Sequence, residues 1–302
     1  MIITDIKNEI KKVIIGKDTV IEDVLTAIFA GGHIMLEDIP GVGKTTLALA
    51  LSKCMSLKYN RMQFTPDVLP GDVTGFTMYN KKTDSFDYKE GAVMCNLFLA
   101  DELNRTSPKT QSALLETMEE GRVTVDGVTH FLPTPFFVIA TQNPLGSAGT
   151  QKLPESQLDR FMVRLSMGYP DFESEKLMLR DENKNRQEEI RQIISLEEII
   201  NIQNEIASLH VEEDIYSFIA SLTEKSRNSE LLRCGVSPRG AKALLRFARA
   251  KAYLNSRDYV VPEDVSSSFL TVCSHRVTLS AKAKSEGMSE ETALTKIKEE
   301  VK

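Results

Sequence analysis

Ile34-Met35-Leu36-Glu37-Asp38-Ile39-Pro40-Gly41-Val42-Gly43-Lys44-Thr45-Thr46 is the stretch whose reading decides this chain. Ile34 to Leu36 read as the end of a short buried strand, and Leu47-Ala48-Leu49-Ala50-Leu51 as a helix. Between them lies a turn with two glycines, a lysine and a hydroxyl, the strand–loop–helix setting that a phosphate-binding loop requires. Backbone N–H groups of Gly41, Val42, Gly43, Lys44 and Thr45 can face one concavity, reinforced by the positive end of the helix. Pro40 and Thr46 flank them. Lys44 is placed to reach a terminal phosphate and Thr45 to bind Mg²⁺ through its hydroxyl. The strict motif G-x-x-x-x-G-K-[ST] begins with glycine, whereas this chain has Asp38 there. Asp tolerates a turn conformation, so nucleotide binding is still expected.

Composition narrows the class. The 302 residues fit one large domain and one small one. An apolar share of 41% and a charged share of 26% are those of an ordinary globular protein. A net charge of −6 argues against non-specific binding of nucleic acid. Cys54, Cys95, Cys234 and Cys273 form no C-x-x-C pair, and the four histidines are dispersed, so reduced thiols and no zinc centre are expected. No apolar run reaches the ~18 residues of a membrane span, and Met1-Ile2-Ile3-Thr4 does not open a signal peptide. A cytoplasmic location is the expectation.

The region before the loop carries helical periodicity over 4–12 and 17–30, separated by Val13-Ile14-Ile15-Gly16. Ile14 and Ile15 are either core residues or the wall of an adenine site. Further on, Leu57 to Phe64 reads as a strand. Residues 76–88 read as a hairpin whose arms alternate aromatic and polar side chains, and 121–132 as a second hairpin about Asp126-Gly127.

Leu97-Phe98-Leu99-Ala100 is a continuous apolar run, as in a parallel strand buried on both faces, and it stops at Asp101-Glu102. Adjacent carboxylates at the end of a buried strand serve chemistry better than packing. Asp101 can hold Mg²⁺ through water, and Glu102 can polarise an attacking water. Phe136 to Thr141 reads as the neighbouring strand, tipped by Gln142-Asn143-Pro144. Asn143 either forms an Asn-Pro turn or hydrogen-bonds the nucleophilic water or the γ-phosphate. Arg160 and Arg164 flank a strand at Phe161–Leu165. Arg160 either pairs locally, for instance with Asp159, or projects from the edge of the subunit.

After Tyr169-Pro170-Asp171 long helical periodicity takes over. The sequence predicts a boundary near 172, an exposed polar stretch at 181–191, helices near 196–209, 211–226 and 238–256, another from about Tyr259 to His275, and a last one over 289–302. Ser237-Pro238 caps the 238 helix. Arg239 in its first turn opposes the helix dipole and is therefore a candidate phosphate contact.

Taken together, LEDIPGVGKT, QFTPDVLPGDVTG, NLFLADELNRTSPKTQSALLETMEEG, VIATQNP, LPESQLDRFMVRLSMGYP, VSPRGAKALLRFARAKAYL and YVVPEDV resemble the MoxR family of AAA+ ATPases across residues 13–280. The resemblance implies an α/β P-loop core with a parallel sheet flanked by helices over 1–172, and a smaller all-α lid over 173–302. It implies a helix-2 insert at 75–90 and a pre-sensor-1 hairpin at 121–135. Lys44 and Thr45 would be the Walker A pair, Asp101 and Glu102 the Walker B pair, and Asn143 sensor 1. Arg160 would be an arginine finger acting on the adjacent subunit, with Arg164 the other candidate, and Arg239 sensor 2. Ile15, Gly16, Asp38, Pro40, Gly41, Val42, Gly43 and Thr46 would join them around ATP or ADP with Mg²⁺. Gln63 would couple ligand state to Glu102. The family implies a ring, commonly hexameric, and chaperone-like maturation of client proteins with von Willebrand factor A domain partners. Two other classes compete: a helix-2-insert motor on nucleic acid or a metal-chelatase subunit, and a nucleotide-dependent switch without useful hydrolysis.

Overall fold

The computed structural model describes residues 2–143, 153–180 and 189–301. In chain order the first elements are α1 (Ile2–Lys11), α2 (Asp18–Phe29), β1 (Ile34–Glu37), α3 (Lys44–Cys54), β2 (Tyr59–Gln63), α4 (Pro70–Thr74), β3 (Gly75–Asn80), β4 (Ser85–Glu90) and β5 (Leu97–Asp101). Then come α5 (Pro108–Glu120), β6 (Arg122–Val125), β7 (Val128–Phe131), β8 (Phe137–Gln142), α6 (Glu155–Leu158), β9 (Val163–Leu165) and α7 (Phe172–Arg180). The remainder is α8 (Leu196–Ser208), α9 (Glu213–Asn228), β10 (Leu232–Cys234), α10 (Pro238–Leu254), α11 (Pro262–Cys273), β11 (Thr278–Leu279), α12 (Ala281–Ser285) and α13 (Glu290–Glu300). Among the described residues, no helix is long and apolar enough to cross a membrane.

Two compact units result. The first holds Met1–Glu22, Met35–Leu153 and Ser166–Ile199; the second holds Asp23–Ile34, Pro154–Leu165 and Ile200–Lys302. The sequence reading drew one boundary near 172, whereas the chain passes between the units several times. Hydrogen bonds explain the assignments. Residues 154–165 belong with the later helices because Arg276 donates to the carbonyls of Asp159 and Phe161 at 2.8 and 2.6 Å. The segment 23–34 joins them through Gln203 Nε2, which donates to the Ile28 carbonyl at 2.9 Å. Conversely, the amides of Ile193 and Ile194 both bond the Cys54 carbonyl, which keeps that stretch with the first unit.

The first unit is built on strands in the order β2-β5-β8-β1. β2 pairs parallel with β5, Gln63 opposite Asp101, and β5 pairs parallel with β8, Leu99 opposite Ile139. Leu97–Ala100 and Val138–Ala140 are fully buried, as their uninterrupted apolar runs require of central parallel strands. β2 is the edge, with Tyr59 and Met62 half-buried and the other positions exposed, so it can carry Asn60, Arg61 and Gln63. Because the strands are parallel, their C-terminal ends share one side, and that is where Asp101, Glu102 and Asn143 emerge.

Both hairpins form. β3 and β4 pair antiparallel, with Tyr79 opposite Phe86. The β6–β7 turn places Asp126 at φ 49° and Gly127 at φ 80°, the two positive values that a two-residue hairpin of this type needs. Tyr88 of the first hairpin stacks on His130 of the second at 3.7 Å between ring centroids, and Thr77 bonds Asp126. Phe76, Phe86 and Phe131 are exposed.

The second unit is mostly helical. α10 and α11 follow the sequence reading to within a few residues, and Ser237 caps α10 by accepting the Gly240 amide at 3.0 Å. The small antiparallel pair β10–β11 is a feature that the helical periodicity did not announce. Residues 181–188 of the polar stretch read at 181–191, and Pro144, lie outside the described residues.

Candidate functional site

Gly41 and Gly43 stand at φ 90° and 94°, a backbone region that side chains other than glycine rarely enter. Gly43 is the N-cap of α3 and offers no side-chain acceptor to its first turn. The early N–H groups of α3 therefore remain available to an anion, and the helix dipole favours one. Lys44 Nζ donates to the carbonyls of Asp38 and Ile39 at 2.8 and 3.2 Å, so the lysine is folded back across its own loop. Burial pushes the Lys44 ammonium below its ordinary pKa, while the carboxylates of Asp38, Asp101 and Glu102 pull it up.

A cavity of about 370 Å³ opens over this loop. Pro40, Gly41, Gly43, Lys44, Thr45 and Thr46 line one side, and Arg61, Gln63, Asp101, Glu102, Thr141 and Asn143 line the other. Thr141 Oγ1 donates to Asp101 Oδ1 at 2.6 Å and accepts the Glu102 amide at 2.9 Å. Arg61 Nη2 donates to Asp101 Oδ2 at 2.7 Å and to Gln63 Oε1 at 3.2 Å. Glu102 Oε2 accepts from Gln63 Nε2 at 2.7 Å and from Arg105 Nη1 at 2.6 Å. Both acids are thus held by named donors. Glu102 also sits in the left-handed region at φ 55°, ψ 45°, a conformation that a non-glycine residue keeps only where its surroundings enforce it. Asn143 follows β8, and its carbonyl accepts from Asn104 Nδ2 at 3.5 Å.

A second, more apolar cavity of about 510 Å³ adjoins the same loop. Val13, Ile14, Ile15 and Lys17 line it together with Pro40, Gly41, Val42, Gly43, Thr46, Met167, Tyr169, Met178 and Leu179. Ile14 is buried, while Ile15 is half-exposed toward this space. Gly16 and Asp38 line neither cavity. Gly16, at φ 71°, lies where a Cβ would meet the Ser174 side chain, so its glycine serves a close chain approach. Asp38 is 5% exposed, and its carboxylate accepts from Ser166 Oγ at 2.8 Å, the Met167 amide at 2.5 Å and the Gly168 amide at 3.1 Å. Tolerance of a turn, the reason offered from sequence, is thus not what occupies this side chain.

Arg160 and Arg239 belong to the second unit. Arg160 is half-buried and Arg239 is exposed in the first turn of α10. Asp159, beside Arg160, is bound by Arg276 and accepts from Ser237 Oγ at 2.9 Å, which ties it to the cap of α10. Arg164 lies 3.8 Å from Glu291. Arg61, Arg105 and Thr141 were not singled out from sequence. Two of them left signals: Arg61 lies two residues before Gln63 on the same face of an edge strand, and Arg105 lies three after Glu102.

The family model for ATPases associated with various cellular activities matches residues 33–163, and the AAA lid domain model matches 224–297. The Mycobacterium tuberculosis protein named Chaperone MoxR1 is 34% identical over 96% of this chain and 79% of its own length. This chain belongs to the MoxR family of AAA+ ATPases. Bacillus subtilis YeaC is similar at 47% identity over 97% of this chain and 92% of its own. Among solved structures, a Cytophaga hutchinsonii protein described as a possible ATPase superposes with a TM-score of 0.92 at 39% identity, covering 100% of this chain and 94% of that one. The parallel sheet flanked by helices, with an AAA lid, is therefore the fold of this MoxR-family member.

Proposed function

We propose that this chain binds ATP with Mg²⁺ and hydrolyses it to ADP and phosphate. The carrying observation is the convergence of Lys44, Thr45, Asp101, Glu102 and Asn143 on one cavity beside the positive end of α3. The apolar second cavity suits an adenine ring, with Ile14, Ile15 and Met167 in its wall.

The donors fit the implied metal. Thr45 and Asp101 supply one hydroxyl and one carboxylate, the sparse oxygen set with which Mg²⁺ is held beside a polyphosphate. Bound there, the ion would neutralise charge on the phosphates.

The chain's own groups do the rest. Lys44 exchanges its loop carbonyls for phosphate oxygens. Glu102 accepts a proton from water as the water oxygen bonds to the γ-phosphorus and the bond to the β–γ bridging oxygen breaks. To do so Glu102 trades a hydrogen bond from Gln63 or Arg105 for one from water. Asn143 orients that water. Arg160, contributed to a neighbouring subunit, and Arg239 meet the charge on the transferring phosphoryl group, as the resemblance implies. A hexameric ring that matures client proteins together with a von Willebrand factor A domain partner completes the reading, supported by the chaperone name of the Mycobacterium relative.

The test is ATP hydrolysis against protein concentration, with mass measured in solution with and without ATP and Mg²⁺. Specific activity that climbs as a ring forms supports the proposal. Equal activity at every dilution from a monomer removes the trans arginine, and assembly without turnover moves a binding switch to first place.

A further inference from the structure

The residue that breaks the strict phosphate-loop motif is tied to both cavities. We infer that Asp38 is a positioning residue that fixes the phosphate-binding loop to the wall of the apolar cavity, and so makes base binding and phosphate binding one event. This rests on the proposed nucleotide reading of the two cavities.

An ionised carboxylate removed from water is strongly disfavoured unless its oxygens are paired. Asp38 is 5% exposed and is satisfied by three donors from residues 166–168. Two are successive backbone amides, those of Met167 and Gly168, so the contact fixes the course of the main chain and not only one side chain. Gly168 adopts φ 60°, the positive value with which consecutive amides turn toward one anion. An intramolecular carboxylate fills that nest.

What the contact joins gives it meaning. Met167 lines the apolar cavity, and Tyr169 lies two residues further along the same wall. On the other side of the same residue, the Asp38 carbonyl accepts from Lys44 Nζ at 2.8 Å, and Lys44 lines the phosphate cavity. Its amide bonds the Gln142 carbonyl at 3.1 Å, anchoring it to the sheet beside Asn143. One residue therefore touches the phosphate lysine, the sheet and the base wall. A glycine at 38 could keep the two backbone bonds. It would lose all three bonds to 166–168 and leave the amides of Met167 and Gly168 without their acceptor.

The inference predicts which part of a ligand notices the change. ATP spans both cavities, whereas inorganic tripolyphosphate can use only the phosphate one. The experiment is calorimetric titration of the full chain with ATP and, separately, with tripolyphosphate, each with Mg²⁺, for wild type, Asp38→Gly and Asp38→Asn. Asp38→Gly restores the strict motif, yet ATP affinity should fall at least ~10-fold while tripolyphosphate affinity stays within ~2-fold. Asp38→Asn, which keeps one oxygen acceptor and the side chain's size, should fall between, and it carries the test if the glycine variant does not fold.

Each of the following outcomes overturns the idea. Unchanged ATP affinity in both variants removes the role. Equal weakening toward ATP and tripolyphosphate makes Asp38 a support of the loop alone. If wild type itself binds tripolyphosphate as tightly as ATP, the base cavity is misassigned and the nucleotide reading falls together with this one. A wild type that prefers ATP, with variants that keep that preference, leaves the nucleotide reading standing and overturns only the positioning role.

Discussion

Replacing Arg276 by Met should unfold the second unit far more readily than any surface change. The Arg276 side chain is 1% exposed. Its guanidinium pairs with the Asp159 carboxylate and donates to the carbonyls of Asp159, Phe161 and Val272 at 2.8, 2.6 and 2.8 Å. Burial pushes its pKa down, and Asp159 is the chief opposing influence. Met fills much of the same volume, so the cost is mainly electrical: a carboxylate and three carbonyls lose their donor. Removing one partner of a buried pair costs about 3–5 kcal/mol. Asp159 retains Ser237 and some water, which favours the lower end of that range. Against a total of about 5–15 kcal/mol for a domain, even ~3 kcal/mol is severe. The assay is urea unfolding followed by circular dichroism, with hydrogen exchange over residues 154–165 as a local report. A double-mutant cycle with Asp159→Asn isolates the pair, and Arg276→Met should cost at least ~1.5 kcal/mol less in that background. Additive costs, or an Arg276→Met midpoint within ~0.5 kcal/mol of wild type, would refute the reasoning.

Other outcomes follow from the site. Glu102→Gln should retain nucleotide affinity and lower turnover about 10²–10⁴-fold, read in single-turnover hydrolysis; near-normal rates would reassign the base. Arg160→Ala, assayed in the assembled form, should lower turnover on the order of 10³-fold while ATP affinity changes little. His275 is buried with its Nε2 hydrogen-bonded to the Phe161 carbonyl at 3.0 Å; burial, Arg276 and Arg164 hold its pKa well below the usual 6.5. The unfolded chain binds that proton near pH 6.5 and the folded chain does not. Stability is thus fully present above pH 6.5 and should fall by about 1.4 kcal/mol per pH unit below it. Urea titrations at pH 7.5 and 5.5 should show that slope in wild type and lose it in His275→Gln; parallel curves for the two proteins would remove the assignment.

Much of the architecture was legible because it is carried by period and punctuation. Leu97–Ala100 could be only a doubly buried strand, Asp126-Gly127 only a tight turn, and Ser237-Pro238 only a helix start. The acids at the end of that strand marked the candidate site for the same reason, since packing gives no ground for them. What was hidden depends on contacts remote in sequence. Thr141 bonds Asp101 across 40 residues, and Asp38 bonds Gly168 across 130. Periodicity within a window carries no trace of either. The division into units was hidden likewise: residues 154–165 join the later helices through Arg276, more than a hundred positions away.

The left-handed backbone at Glu102 sets folding and chemistry against each other at a single codon. A side chain in that region costs about 1–2 kcal/mol that glycine would not incur. Glycine would also abolish the carboxylate that the proposed hydrolysis needs. Under the proposed hydrolysis, a change made for thermal endurance alone would therefore yield an inert chain here. Consensus or ancestral redesign of this protein should hold position 102 fixed by fiat, because a stability score points the wrong way there.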